Sequence, residues 1–521
     1  MHDGWIDFGM ARDRSLPRAA LRLLAGLGGV ILIAAPVAAG CVKDLPECSD
    51  GTEPDQLKCD VGATEDPEAP PSCAPGSGPP LADCGVFVSL SGGDDGDPGS
   101  PDKPVKTLKK ALDLAKAEGK PVYACAEEFP VTSSLEVPAG SVIYGSLDCK
   151  NGWAYPIEGG APSTHIHGTK SGVLPLWLKA GSGRTEISGL HVTAREGLAP
   201  GGSSIAVLVE DVKAIFSNCT LEAGAGADGA NGAASSPTPA LSGTSGEAGG
   251  AACSAVDVMG GPGGVTDCNG AQSKGGSGGT GSQFVGGVGK PGEPVVAGSG
   301  LGGAGQLAMS CEAGGAGKDG DPGAMSADAA GTGELGPMGY VGIPGSDGAV
   351  GKPGQGGGGG GGSKGGTGAG KCADAMNGGS SGGGGGAGGC GGAGGRGGSP
   401  GGASIAIVSL GATTTTRLVV SQVKLIAASG GKGGAGAEGQ EGGAGGIGGV
   451  GGTPPMTASQ LKAGCNGGSG GKGGPGGKGG AGLPGPSVGI AFTGETPGKA
   501  NVVFESAAGD LGFEQKSFAA P

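Results

Sequence analysis

The chain has 521 residues; 131 are Gly and 37 Pro, about a third together, against only 9 Phe, 3 Trp and 4 Tyr. Average proteins carry roughly 7% Gly and 5% Pro, which excludes one conventional enzyme fold over the full length, and a single apolar run is long enough to consider for a membrane. The formal charge of −14, from 33 basic and 47 acidic residues, argues against a nucleic-acid partner.

In chain order, Arg12, Arg14, Arg18 and Arg22 form a basic start, and Leu23 to Ala39 is apolar and uncharged. Small residues then lead to Cys41. This order describes a secretory leader, and Met10 is an alternative start that gives it normal length. Ala38-Ala39-Gly40-Cys41 resembles the lipobox of bacterial lipoproteins. The resemblance implies that Cys41 becomes a lipidated first residue, held at a membrane surface by buried acyl chains rather than by a spanning helix. The rival readings are ordinary cleavage after Ala39 and an uncleaved anchor. Removing residues 1–40 leaves a net charge of −15, so the acidity belongs to the exported part.

The 14 Cys agree with export, because a reducing cytosol disfavours disulfides. Cys48, Cys59, Cys73 and Cys84 sit in a Pro/Asp/Glu-rich stretch that reads as a stapled tether. Zinc is disfavoured there, since no CxxC pair and no His accompany them. Cys125, Cys149, Cys253, Cys268, Cys311, Cys372, Cys390 and Cys465 are the other disulfide candidates. Cys219 is the odd thiol, at an inward position where it acts as a small apolar residue.

The first folded unit starts near Cys84. Gly85 to Ser89 reads as a strand, Ser91 to Pro101 as a turn-rich loop, and Lys103 to Glu118 as a short amphipathic helix with Val105, Leu108, Ala111, Leu112 and Ala115 on one face. Pro121 to Cys125, Leu135 to Gly140 and Ser141 to Gly145 read as strand segments. An internal repeat follows. Ile187 to Ala194, Phe216 to Ala223 and Val420 to Ala427 each read apolar, Ser, x, apolar, x, apolar, x, Ala. A partner strand recurs as Ser204-Ile205-Ala206-Val207, Ser404-Ile405-Ala406-Ile407 and Ser487-Val488-Gly489-Ile490. Alternating apolar positions face one side of a strand, and stacked units bury a core that none buries alone.

The opening strand, the GxxxxPGSxxxPxKTLxxAL segment and the strand after it resemble the N-terminal cap of pectin-lyase-like proteins. Tyr144 to Cys149 with Gly152-Trp153 resembles a segment of PGRS-type Gly-rich bacterial lipoproteins. The resemblance covers about 84–223 and two later islands. It implies an all-β fold: a right-handed parallel β-helix, or solenoid, with a short capping helix, interrupted by long Gly-rich insertions. The chain then divides into a leader (1–40), a Cys/Pro-rich tether (41–83), cap and first coils (84–223), a Gly-rich insertion (224–403), a coil (404–429), a second insertion (430–486) and a terminal coil (487–521).

The insertions are patterned. Gly recurs at every third position from Gly333 to Gly357, and Gly-Gly-x triplets run from Gly430 to Gly451 and from Gly467 to Gly482. A period of three fits a left-handed helix of three residues per turn. Three chains could wind such segments into a collagen-like helix, or one chain could pack several side by side through backbone hydrogen bonds. The favoured expectation is disulfide-pinned flexible loops, because 224–403 has only Phe284 and Tyr340 as aromatics for a core.

Candidate chemistry is sparse. Thr164-His165-Ile166-His167 puts two imidazoles on one strand face, and once the leader is removed His191 is the only further His for a metal; solvent-facing histidines are the favoured reading. Asp94, Asp95 and Asp97 are a weak Ca²⁺ candidate, against a capping turn. No calcium-binding β-roll repeat is present. Glu186, Glu210, Asp211 and Lys213 lie near coil turns, but paired catalytic carboxylates need a fixed separation. No catalytic residue and no cofactor are assigned. The expected function is structural or adhesive display of Gly-rich loops at the cell envelope, outer membrane or cell surface, with matrix or polysaccharide as contact. A carbohydrate-active β-helix enzyme (lyase or hydrolase) or glycan-binding module is the alternative.

Overall fold

The structure, a computed structural model, describes residues 47–50, 57–60, 73, 79–155, 163–373, 375–506 and 513–520. The leader and Cys41 lie outside these residues. The chain divides into two units, 1–64 and 65–521. In the first, Glu47–Asp50 pairs antiparallel with Leu57–Asp60, which sets Cys48 opposite Cys59 in the register.

The second unit is strand-rich, with its principal strands in three parallel sheets. The first sheet runs Val86–Val88, Val122–Cys125, Val142–Leu147, Arg184–Ser188, Lys213–Ser217, Leu418–Ser421, Gly498–Ala500. The second runs Glu128–Val131, Thr164–Gly168, Leu190–Ala194, Thr220–Ala223, Lys424–Ala427, Val503–Ser506. The third runs Glu136–Val137, Leu176–Leu178, Ser204–Glu210, Ser404–Ala412, Ser487–Gly494, Phe513–Ser517. From Val122 onward the chain visits first, second and third sheet in turn, and each circuit pairs with the one before.

Equivalent apolar residues therefore stack. Ile143, Ile187, Phe216 and Val420 are successive partners in the first sheet. Phe129, Ile166, Val192, Leu221 and Leu425 follow one another in the second, and Leu176, Val207, Ile407 and Ile490 in the third. All of them are buried, and each contributes about 1.5–3 kcal/mol relative to an exposed side chain. The segments that share the eight-residue repeat are in register, Ser188 with Ser217 and Ser421, and Ala194 with Ala223 and Ala427.

The turn between the first two sheets carries one left-handed residue: Gly189 (φ 71°), Asn218 (φ 51°), Gln422 (φ 54°) and Asn501 (φ 51°) in successive circuits. Gly and Asn adopt this region at least cost. The N–H of Gly189, Asn218 and Gln422 each bonds a carbonyl of the next circuit, so the corner does not break the ladder.

A helix at Leu108–Glu118 covers one end, burying Leu108, Ala111, Leu112 and Ala115. It starts later than the expected Lys103, because Pro104 lacks an N–H and Thr107 is the N-cap, accepting from the Lys110 amide. Val105 instead bridges Val88. Gly119 (φ 65°) ends the helix. Beside this end, Phe87 stacks on Tyr123 at 5.0 Å and meets Trp153 edge-on at 4.9 Å. Disulfides Cys73–Cys84 and Cys125–Cys149 close this cluster.

In the third sheet the strands Ser204–Glu210, Ser404–Ala412 and Ser487–Gly494 are buried on both faces over most of their length. Ile205, Leu208, Ile405, Val408, Val488 and Ala491 form a second core against Leu335 and Tyr340. Those two belong to a hairpin, Glu334–Gly336 with Gly339–Val341, contributed by the first Gly-rich tract. Among the described residues no helix is long and apolar enough to cross a membrane.

Candidate functional site

Both Gly-rich tracts leave the second sheet, after Ala223 and after Ala427, and both return as strands of the third, at Ser404 and Ser487. Between these points they are ordered, which corrects the expectation of flexible loops. The chain runs in extended legs that bond to each other. Gly383, Gly386, Gly389, Gly392, Gly395 and Gly398 donate to the carbonyls of Cys465, Gly468, Gly471, Gly474, Gly477 and Gly480, at 2.8–3.0 Å. A step of three on both sides is the signature of three residues per turn without internal hydrogen bonds. The legs are 226–250, 312–329, 343–365, 378–402, 429–452 and 464–485, with shorter ones between 258 and 306.

The leg 378–402 is enclosed. It donates to Ala227 and Thr244, to the leg from Cys465, and to Gly276 and Gly279; it accepts from Gly434, from Gly348, and from Gly261 and Gly264. Residues 378–390 are buried throughout, and nine of the thirteen are glycine, the others being Ser380, Ser381, Ala387 and Cys390. A Cβ on Gly382, Gly383 or Gly384 would stand 1.9, 2.1 or 1.9 Å from the carbonyl oxygen of Gly360, Gly449 or Pro262. None of the three has φ in the left-handed region. Close approach of neighbouring backbones demands glycine here, not an unusual φ.

The same geometry explains the graded composition. Where the packing is tightest, at 356–362 and 382–386, every position is a buried glycine. Leg 429–452 uses Gly-Gly-x, and its outward residues Ala444, Ile447 and Val450 are exposed. Leg 312–329 lies at the edge and is less glycine-rich: Gly314, Gly317, Gly320 and Gly323 bond to the neighbouring leg, and Ser326 and Ala329 continue the same ladder. At the edges, Asx side chains accept amides that would otherwise go unpaired: Asp228 from Lys432, Asn231 from Ala435, Asp319 from Lys472 and Asp328 from Ala481, at 2.7–2.9 Å.

A single net hydrogen bond contributes only about 0.5–1.5 kcal/mol, while ordering one residue costs about 1–2 kcal/mol. Cross-links therefore matter. Cys253–Cys372, Cys268–Cys390 and Cys311–Cys465 span 119, 122 and 154 residues, and closing loops of such length stabilises by about 4–5 kcal/mol each in the chain-entropy description.

The turns between legs gather at one tip. Cys253 bonds Cys372, the Gln460 amide donates to Gly370, the Ala252 amide to Thr453, the Gly365 amide to Ser282, and Lys364 Nζ to Leu307. Large apolar side chains stand exposed on these turns: Val256 57%, Phe284 79%, Leu307 71%, Met309 81%, Met376 51% and Met456 100%.

The base carries the ionisable groups singled out from sequence. His165, His167 and His191 share the outer face of the second sheet, with His165 stacked on His191 at 4.3 Å. His165 Nε2 contacts Thr193 Oγ1 at 2.9 Å, and Nδ1 faces Glu128 Oε1 at 3.8 Å. Burial, then the charges of His191 and His167, hold the His165 imidazole below its ordinary pKa, against the opposing pull of Glu128. Glu128 was not singled out from sequence; only the register, Glu128 opposite His165, brings it in.

Asp94, Asp95 and Asp97 are not a ligand cluster among the described residues. The Asp95 carboxylate is taken by the amides of Lys106 and Thr107 and the Thr107 hydroxyl, and Asp94 accepts from Gly96, so two of the three carboxylates brace the capping turn. Glu210 pairs with Lys179 at 2.9 Å, Glu186 with Arg184 at 2.5 Å, and Asp211 accepts from Thr416 at 2.8 Å. A cleft of about 410 Å³ lined by Gly181, Ser182, Gly183, Arg184, Lys213, Thr415 and Thr416 has no carboxylate in its wall. Cys219 is a buried free thiol between Leu190 and Val423.

Parallel sheets carrying a backbone-bonded glycine bundle define the class of molecule that fold and site describe. Neither the models of known families, nor the curated proteins, nor the solved structures contain a match to the chain.

Proposed function

We propose that the chain is an exported envelope protein, lipid-anchored through Cys41, whose glycine bundle is a stiff stalk for adhesive display. In this reading the three-sheet base is a right-handed parallel β-helix. The leader pattern, the lipobox resemblance and the five disulfides among the described residues support export. The register of successive circuits supports the β-helix. The carrying observation for adhesion is the tip, where apolar side chains are exposed on a cross-linked, hydrogen-bonded frame. Large exposed apolar groups rimmed by polar surface mark contact sites.

The test coats beads with the purified full chain and measures their retention on matrix and polysaccharide films under flow. The triple variant Phe284→Ser, Leu307→Ser, Met309→Ser is expected to fold alike and to lose most of the retention. Equal retention of wild type and variant, or of wild type and bare beads, overturns the adhesive reading. Release of sugar fragments from the films, sensitive to changes in the base but not in the tip, identifies the carbohydrate-active alternative instead.

A further inference from the structure

The outer face of the second sheet concentrates three of the four histidines in the chain. One ligating atom from each of Glu128, His165 and His167 lies within 4.8 Å of the other two. His167 Nδ1 is buried without a hydrogen-bond partner, which ordinarily carries a cost. His165 engages the Thr193 hydroxyl through Nε2 at 2.9 Å, fixing its ring with Nδ1 toward Glu128. The 3.8 Å between Nδ1 and the carboxylate is too long for a hydrogen bond. It is close to the about 3.4 Å that separates two ligands of a tetrahedral ion with bonds of about 2.0–2.1 Å.

We propose that Glu128, His165 and His167 bind one divalent transition-metal ion of the zinc class, with the remaining coordination positions open to water. Two imidazoles and one carboxylate form a donor set suited to zinc and its neighbours rather than to calcium. Thr193 plays the orienting part, since a ligating histidine commonly has its other ring nitrogen hydrogen-bonded. Glu128 belongs to one circuit and the histidines to the next, so the ion ties adjacent circuits together. It thereby stabilises the folded chain by mass action. This site is independent of the adhesive reading.

The test adds Zn²⁺ to the metal-free full chain and follows uptake calorimetrically, with a thermal melt alongside. Expected are one saturable Zn²⁺ per chain and a higher Tm. Co²⁺ in its place is expected to give the visible absorption of a low-coordinate nitrogen–oxygen site. His167→Ala and Glu128→Gln are each expected to weaken binding by roughly tenfold or more and to abolish the Tm rise. Glu128 has an exposed side chain, so its substitution keeps the test valid if a histidine variant fails to fold. His191→Ala, outside the ligand cluster, is expected to keep a stoichiometry of one. Absence of saturable uptake, or uptake by Glu128→Gln as tight as wild type, overturns the proposal.

Discussion

At the residue scale, the bundle turns on the single missing methyl of glycine. Gly383 lies in the enclosed leg, where a Cβ would press 2.1 Å from the Gly449 carbonyl oxygen. The neighbour is backbone, so relief requires legs to part and hydrogen bonds to lengthen. Gly383→Ala is expected to destabilise by at least the about 1–3 kcal/mol of an overpacked core, read as a lower denaturation midpoint. Ala444→Ser, at an exposed outward position, is expected to leave the midpoint unchanged; equal effects would contradict the packing account. Cys219 tests the base in the same way. Burial pushes its thiol pKa up to about 12, so the nucleophilic thiolate is scarce near neutrality. Peptide mapping after iodoacetamide should find Cys219 unmodified in native protein and alkylated after denaturation. Native labelling would place the thiol elsewhere than the core.

At the scale of elements, strands and legs obey different periods, and the sequence exposed the two unequally. Period-two strands were legible because inward and outward residues differ in polarity, as in Thr164–Gly168. The repeat through Ile187, Phe216 and Val420 was legible because stacked circuits repeat their side chains. The order of the tracts was not, because it rests on no core of aromatic and aliphatic side chains. The legs need none: their packing atoms are backbone amides, carbonyls and α-carbons. The signal was nevertheless present in the grading from one to three glycines per triplet and in the phase of Asp228 and Asn231. For the histidine row, two members were legible from their i, i+2 spacing, while Glu128 depended on a cross-strand register. Amide hydrogen exchange checks the leg geometry. On the edge leg, Gly320 and Gly323, which donate across the bundle, should exchange slowly, and Asp321 between them quickly. Uniformly fast exchange would leave the leg without its ladder.

At the scale of the whole molecule, base and bundle lean on each other through the hairpin 334–341. Its Leu335 and Tyr340 cover Ile205, Ile405, Val408 and Val488 on the third sheet. A chain lacking 224–403 and 430–486, rejoined by short polar links, should keep a cooperative β-sheet melt from its circuit core. It should also lose Tm and self-associate through the uncovered face, seen by light scattering. A trimmed chain without any cooperative melt would mean that the circuits do not form a core by themselves.

The three-residue step of the legs also makes the bundle a ruler. Each triplet advances about 9 Å, so the leg 378–402 reaches roughly 75 Å. A lone inserted residue would throw every later glycine out of phase with its neighbours, whereas one triplet added at the same level to each leg would restore all contacts one notch further out. Reach is thus quantised, and insertions or deletions that preserve folding should come in matched multiples of three across the facing legs.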